Sequence, residues 1–550
     1  MTQTTVYNAR KIITMNPQQP LATHIAVRDG RVLAVGDLPR MQAWGKFELD
    51  ERFAGKVLMP GLIEGHCHLK EGSVWDQPYL GWFDRRDPQG NTWPGLNSMD
   101  AVVAKLVELD AQLTAAGKGD EQPLVCWGFD PIYFGGERMS VQHLDRASAT
   151  RPIVVAHSNG HVMNVNSATL RLAGIDRDTD TVGVMKFGNG EPNGELQEPA
   201  AMFLVVRKVG NAGLLVPMDD NGMRNFAAIA RLQGVTTATD LVNRLGADDV
   251  AVLERNCRRD DFSVRIVPAF QAFHGTHAAA EGAAHVLKLK HGNTDRLRYG
   301  LVKMMLDGSI QGFSARLRWP GYFNGAANGI WVTAPAQYEA DFETYHRAGL
   351  TIHTHTNGDE ASEAAIDAIE RVLSRAARAD HRHTLQHGQM IDAALFRRMA
   401  ALGLCANLFP NHVWYWGEQH LSMTMGPDRA ARLDACRSAL DAGVPLAMHS
   451  DAPVTPLGPL FTAWCAVNRV TPTGRVLGEA ERISVAEALR AITLGAAWTL
   501  KLDHELGSLE CGKRADLCVL EDDPTAVEPM KLKDIGVWGT MLSGRVCAAA

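Results

Sequence analysis

Two pairs of histidines, His66-Cys67-His68 and His353-Thr354-His355, are each separated by a single residue, and the chain also carries His387 in TLQHGQM and Asp451 in LAMHSDAPV. Imidazole nitrogens and carboxylate oxygens are the donors that a divalent ion such as zinc takes from a protein. On an extended strand successive side chains alternate, so His66 and His68 share a face while Cys67 points the other way. Singly, each residue has a bland reading: a buried histidine satisfied by a backbone carbonyl, or an aspartate capping a helix. Together they place imidazoles and a carboxylate at the ends of successive apolar runs, and that coincidence points to one shared metal site. Lys303 sits inside another such run, Leu301-Val302-Lys303-Met304-Met305-Leu306. Burial lowers an ammonium's pKa, and a neutral amine can take up carbon dioxide to become an anionic carbamate. The plain alternative is a lysine paired with Asp307 or stretching its amine to solvent.

The elements that must position these groups alternate along the chain. Apolar runs at 62–68, 234–241, 264–271, 297–306, 350–356, 384–390, 402–407 and 444–450 read as strands buried on both faces, with helical stretches such as 360–378 and 392–401 between them. Eight such runs predict an α/β fold built on a (β/α)8 TIM-like barrel, whose functional groups gather at the C-terminal ends of the strands. The first sixty residues and the last forty-six read instead as short strands divided by turns such as Asp29-Gly30. The two ends are expected to meet as a small β-sandwich. Residues 70–225 break the rhythm with turn residues and tryptophans. The predicted organisation is therefore 1–60 with 505–550 as the sandwich, 61–69 with 226–504 as the catalytic barrel, and 70–225 as an α+β subdomain inserted after the first barrel strand, over the active site.

Composition narrows the class. The 62 acidic residues exceed the 55 basic ones, giving a net charge of −7, which offers no basic excess for phosphates and argues against nucleic acid as a partner. Nine cysteines are scattered without a close CxxC pair, unlike a disulfide framework or a cysteine zinc knot. The opening MTQTTVYNARKIITMNPQQP lacks the layout of a signal peptide, and no apolar run is long enough to span a membrane. A soluble cytoplasmic enzyme acting on a small molecule is the expectation, with homo-oligomer formation the default for this size.

PGLIEGHCHL (60–69), HVMNVNSATLRLAGI (161–175), GVTTATDL (234–241), VKMMLDGSIQG (302–312), HTNGDEA (355–361), LQHGQ (385–389), SDAPV (450–454) and GSLECGKRADLCVL (507–520) together resemble the amidohydrolase superfamily, and most closely its third family, which includes N-substituted formamide deformylase. The resemblance spans nearly the whole chain. It implies that His66, His68, Lys303, His355, His387 and Asp451 hold one or two Zn2+ ions, with Lys303 as a bridging N6-carboxylysine. Two departures stand out: Glu64 where the family commonly has Asp, and Gln386 where it often has Glu. His353 is placed behind the ligands or in the pocket. The segment around Ser158-Asn159-Gly160-His161 lies over the site in relatives, which makes His161 a candidate substrate contact. Trp75 and Trp414 are candidates for lining an apolar pocket.

The implied chemistry is hydrolysis of a non-peptide carbon–nitrogen bond, most simply an amide, by metal-activated water. Asp451 would move the proton, and a metal with the neighbouring imidazole of His387 would polarise the carbonyl. A deaminase of the same superfamily is the first alternative, although such relatives commonly carry a glutamate three residues after the fifth-strand histidine, where this chain has Gly358. A non-catalytic barrel scaffold is the second, and it would be expected to have lost ligands.

Overall fold

The computed structural model describes residues 3–135, 137–158, 160, 162–210, 212, 216–273 and 278–549, with Pro199 as backbone only. The chain divides into two compact units, residues 1–68 with 230–550 and residues 69–229.

In the first unit, eight parallel strands follow one another in chain order: Leu62–Glu64, Val235–Asn243, Arg265–Gln271, Leu301–Met305, Thr351–Thr356, Thr384–His387, Cys405–Leu408 and Leu446–Met448. Each corresponds to one of the apolar runs, and nearly every strand residue is buried, as a sheet covered on both faces requires. Backbone ladders join the first strand through to the eighth. The seam between the eighth and the first is crossed differently. Ser450 donates its N–H and its hydroxyl to Glu64 at 3.0 and 2.8 Å, Asp451 N–H donates to the His66 carbonyl at 3.1 Å, and His68 N–H to the Ala452 carbonyl at 2.8 Å. The result is a nearly closed (β/α)8 barrel. Helices follow the strands, among them Ala247–Cys257, Ala279–Lys290, Pro335–Arg347, Asp359–Arg375 and Ala393–Leu402. The fifth-strand helix stops at Arg375 rather than at 378 because Ala376 leaves helical geometry (φ −145°) and Arg378 donates instead to the carbonyls of His346 and Leu350.

The two β-rich ends meet in one continuous sheet. Val57–Pro60 pairs antiparallel with Leu517–Leu520 on one side and parallel with Thr5–Ile13 on the other. The sheet curves so that Tyr7, Ile12, Ile25 and Val35 from the N-terminal half share one core with Leu517, Val519 and Met541 from the C-terminal half. Lys11 pairs with Asp523 at 2.7 Å and Lys56 with Glu521 at 2.6 Å along this junction. Sheet and barrel belong to the same compact unit because the chain passes from one straight into the other: Gly61 N–H donates to Asp516, and Leu62 N–H to Gly234. Beneath this crossing Arg265 is fully buried. Its Nη1 donates to Asp516 Oδ2 at 2.5 Å and to Thr237 Oγ1 at 2.9 Å, and its Nε donates to the Asp295 carbonyl at 2.6 Å.

The second unit is an α+β fold. A five-stranded sheet, ordered Val184–Lys186, Pro192–Gln197, Val162–Val165, Ile153–His157, Leu124–Phe129, is mixed, with the last two strands parallel. Trp75, Tyr79, Trp93 and Trp127 form an aromatic cluster, and Arg85 lies 4.8 Å over Trp127 while bonded to buried Glu71 at 2.6 Å. Among the described residues, no helix is long and apolar enough to cross a membrane.

Because Arg265 and Asp516 are both buried, removing either strands a charge away from water, which costs about 3–5 kcal/mol. Asp516→Ala should therefore lower the midpoint of denaturant unfolding well beyond a surface aspartate control. Equal midpoints would show that the pair does not tie sheet to barrel.

Candidate metal centre

The C-terminal ends of the first, sixth and eighth strands bring His66, His68, His387, His449 and Asp451 into one cluster. His66 Nε2 and His68 Nε2 approach Asp451 Oδ1 at 3.2 and 3.3 Å, and His387 Nδ1 lies 3.8 Å from Asp451 Oδ2. Two sets each offer three ligand atoms within 4.8 Å of one another: His66, His68 and Asp451, and His66, His387 and His449. His449 was not singled out from the sequence. The signal was there, since His449 and Asp451 stand two apart on the eighth-strand end just as His66 and His68 do on the first. Its ring stacks on His66 at 4.6 Å and on Phe409 at 4.8 Å. His387 and Asp451 both adopt left-handed backbone, with φ of 65° and 53°. Non-glycine residues rarely take that conformation, and its occurrence at both strand ends fits a site held under strain.

A chain of hydrogen bonds fixes which nitrogen of His66 carries its proton. It starts at the Thr499 carbonyl, which can only accept. His353 Nε2 lies 3.1 Å from it and must donate. Burial pulls the His353 pKa down to about 3, so the ring is neutral and its Nδ1 is an acceptor. Gln386 Nε2, 2.7 Å away, donates to that Nδ1, which orients the amide. Gln386 Oε1 then accepts from Asn407 Nδ2 and from His66 Nδ1, both at 2.8 Å. His66 Nε2 is left as a lone pair facing the Asp451 carboxylate.

Electrostatics agree. Burial, then the charges of Lys303 and the neighbouring histidines, hold His66 far below the ordinary imidazole range, and burial with His355 does the same for His387. His449 is pulled to about 3 by burial. Burial would raise Asp451, but the adjacent His68, with Lys303, outweighs it and keeps the carboxylate ionised. Lys303 is 2% exposed, and burial lowers its amine to about 7 against the pull of Asp451. Lys303 Nζ, His387 Nε2, Asp451 Oδ1 and both ring nitrogens of His449 are buried without a hydrogen-bond partner among the described residues. Neutral imidazoles and an anion with unspent lone pairs are a donor set that fits a divalent cation.

The remaining candidates fall elsewhere. His355 puts its ring 4.4 Å from His387, while its Nε2 meets the Gly308 carbonyl and Asn357 Nδ2, each at 3.1 Å. Both nitrogens of His353 are engaged, by Thr499 and Gln386, so of its two expected places it takes the one behind the ligands, supporting His66. Trp414 packs on Trp464 at 5.3 Å and on Phe461 at 6.2 Å. Trp75 belongs to the aromatic cluster of the second unit, and His161 lies outside the described residues.

A parallel barrel with histidines and an aspartate gathered at its strand ends defines a class, the metal-dependent hydrolase barrels. The sequence matches the model of the amidohydrolase family over residues 54–548, and the chain belongs to that family. Among curated relatives, Protein LONG AFTER FAR-RED 3 of Arabidopsis thaliana is 28% identical over 92% of this chain and 85% of its own. N-substituted formamide deformylase of Arthrobacter pascens is 25% identical over 96% of both. A solved structure, an uncharacterized metal-dependent hydrolase from Pyrococcus horikoshii OT3, superposes with a TM-score of 0.71 at 18% identity, covering 96% of this chain and 99% of that one. That likeness carries the fold.

Glu64, the seam residue, is buried, and burial pushes its carboxyl up to about 8 despite the Ser450 bonds. A carboxyl that holds its proton more tightly folded than unfolded contributes stability fully present below about pH 4.5 and lost as the pH rises through about 8. Thermal melts of chelator-treated wild type should therefore fall relative to Glu64→Gln across that window. Parallel pH profiles for the two proteins would count against this role.

Proposed function

We propose that this protein hydrolyses a non-peptide carbon–nitrogen bond, of amide type, in a small organic molecule. One observation carries the reading: the His66 Nε2 lone pair faces Asp451 Oδ1 at 3.2 Å with no proton between them, an arrangement that repels unless a cation occupies it. His66, His68 and Asp451 would hold that ion, with His387, His449, His355 and Lys303 around it. The imidazole-rich set favours Zn2+. When bound, such an ion lowers the pKa of a water to about 7 and polarises a carbonyl. The relative bearing the name N-substituted formamide deformylase supports an amide as the bond.

The chain's own groups divide the remaining work. Asp451 Oδ1 is turned to His66 and His68, so Oδ2 is the oxygen that takes the water's proton and passes it to the leaving amine. His387 Nε2, without a hydrogen-bond partner among the described residues, would polarise the substrate carbonyl. At neutral pH a substantial share of Lys303 is free amine, and its reaction with carbon dioxide, forming an N–C bond with release of a proton, would supply the N6-carboxylysine oxygen ligands.

Deamination is disfavoured by a particular contact. A Cβ on Gly358 would stand 1.7 Å from the Arg316 carbonyl, so no acid fits there. The next two acids are already engaged: Asp359 accepts from Arg318 N–H at 2.9 Å, and Glu360 pairs with Arg316 at 2.9 Å.

Purified protein should contain zinc, and a screen across N-formyl, N-acyl and cyclic amides should yield free amine rather than ammonia. Asp451→Asn should keep its metal while turnover falls by about 10²–10⁴-fold. Full activity in that variant would remove Asp451 from the chemistry.

A further inference from the structure

Gln386 stands where relatives often carry Glu, and the structure gives the amide a task that a carboxylate cannot perform. Gln386 must accept from His66 Nδ1 and donate to His353 Nδ1 at the same time. A carboxylate could do only the first. His353 in turn must accept from Gln386 and donate to Thr499, which a neutral imidazole does with its two nitrogens. The two residues are thus a matched pair, each needing the other's polarity. Among the described residues neither hydrogen-bonds to Asp451 or His68, and both are fully buried. Asn407 Nδ2 adds a second donor to Gln386 Oε1, which further locks the amide against flipping. The only member of the series whose polarity is set by covalent structure is the Thr499 carbonyl, at the end of the helix Ala496–Thr499.

We propose that His353 and Gln386 act as a positioning relay through which the Thr499 carbonyl dictates the His66 tautomer and hence the affinity of the centre for a divalent cation. The inference rests on the metal reading above. In the opposite tautomer Nε2 would carry a hydrogen and could not bind an ion. With the relay intact, His66 presents its lone pair before the ion arrives, so no tautomer change accompanies binding. Groups that orient a ligating imidazole in this way typically change metal affinity by about 10–100-fold when removed.

The test is the apparent Kd for Zn2+ and Co2+, measured by chelator competition on the full-length protein, with circular dichroism as the control for folding. His353→Phe keeps the ring volume and removes both polar contacts, and it should weaken binding by about 10–100-fold. His353→Gln offers one acceptor and one donor and should restore affinity to near wild type, a rescue that mere core filling does not predict. Gln386→Met breaks the same relay at the next link, should weaken binding to a similar degree, and serves if His353→Phe does not fold. The double variant should be no weaker than the worse single one, because both cut one series. Additive losses, or wild-type affinity in folded His353→Phe or Gln386→Met, would overturn the relay. Wild-type protein that binds neither ion would instead remove the metal reading on which it stands.

Discussion

One contact at the mouth of this barrel sets two acceptors together with no donor between them: the Nε2 lone pair of His66 stands 3.2 Å from a carboxylate oxygen of Asp451. In a buried setting that contact is unfavourable by itself, since each group has given up water without gaining a partner. The rest of the site is organised around maintaining it. Burial keeps His66 neutral, so its nitrogen cannot relieve the contact by taking a proton. The neighbouring His68 and Lys303 keep Asp451 ionised against the same burial. What is stored is a preference for a cation, and a (β/α)8 frame can store it because the groups come from strands far apart in sequence and held in fixed register.

That frame is least regular where the site is. Seven strand-to-strand junctions are backbone ladders, whereas the eighth is carried in part by the Glu64 side chain bonded to Ser450. Immediately beyond this carboxyl, His66 and Asp451 come close across the junction. Family membership and the match to solved hydrolases fit the same frame.

The barrel was legible in the sequence because strands buried on both faces leave long apolar runs, and all eight runs became strands. Their ends were less legible: 62–68 shortens to Leu62–Glu64, since beyond Glu64 the backbone turns to deliver His66 and His68. The clustering of His66, His68, His387 and Asp451 could be anticipated from strand-end placement. His449 escaped because attention fell on the acid two residues on, and both lie past the strand end at Met448, where alternation no longer says which way a side chain points. The task of Gln386 could not be read at all. A glutamine advertises no chemistry, and its orientation depends on a carbonyl more than a hundred residues away. Contacts of the aromatic residues were equally hidden, because a tryptophan in sequence looks the same whether it faces a pocket or, like Trp414, another tryptophan.

The sheet that joins the two ends of the chain has a consequence for how the protein is made. Val57–Pro60 waits for Leu517–Leu520, 460 positions later (517 − 57). A ribosome adding about 5–20 residues per second needs roughly 20–90 s to cover that distance. For that time the N-terminal strands present an unpaired edge, the kind of surface that recruits strands from other nascent chains. Lys56 stands at the start of this edge, with Lys11 on the strand next to it, and charged side chains of that sort discourage such pairing. Once the C-terminal segment emerges, Asp523 and Glu521 neutralise both lysines, so the charges that guard the early edge become the contacts that seal it.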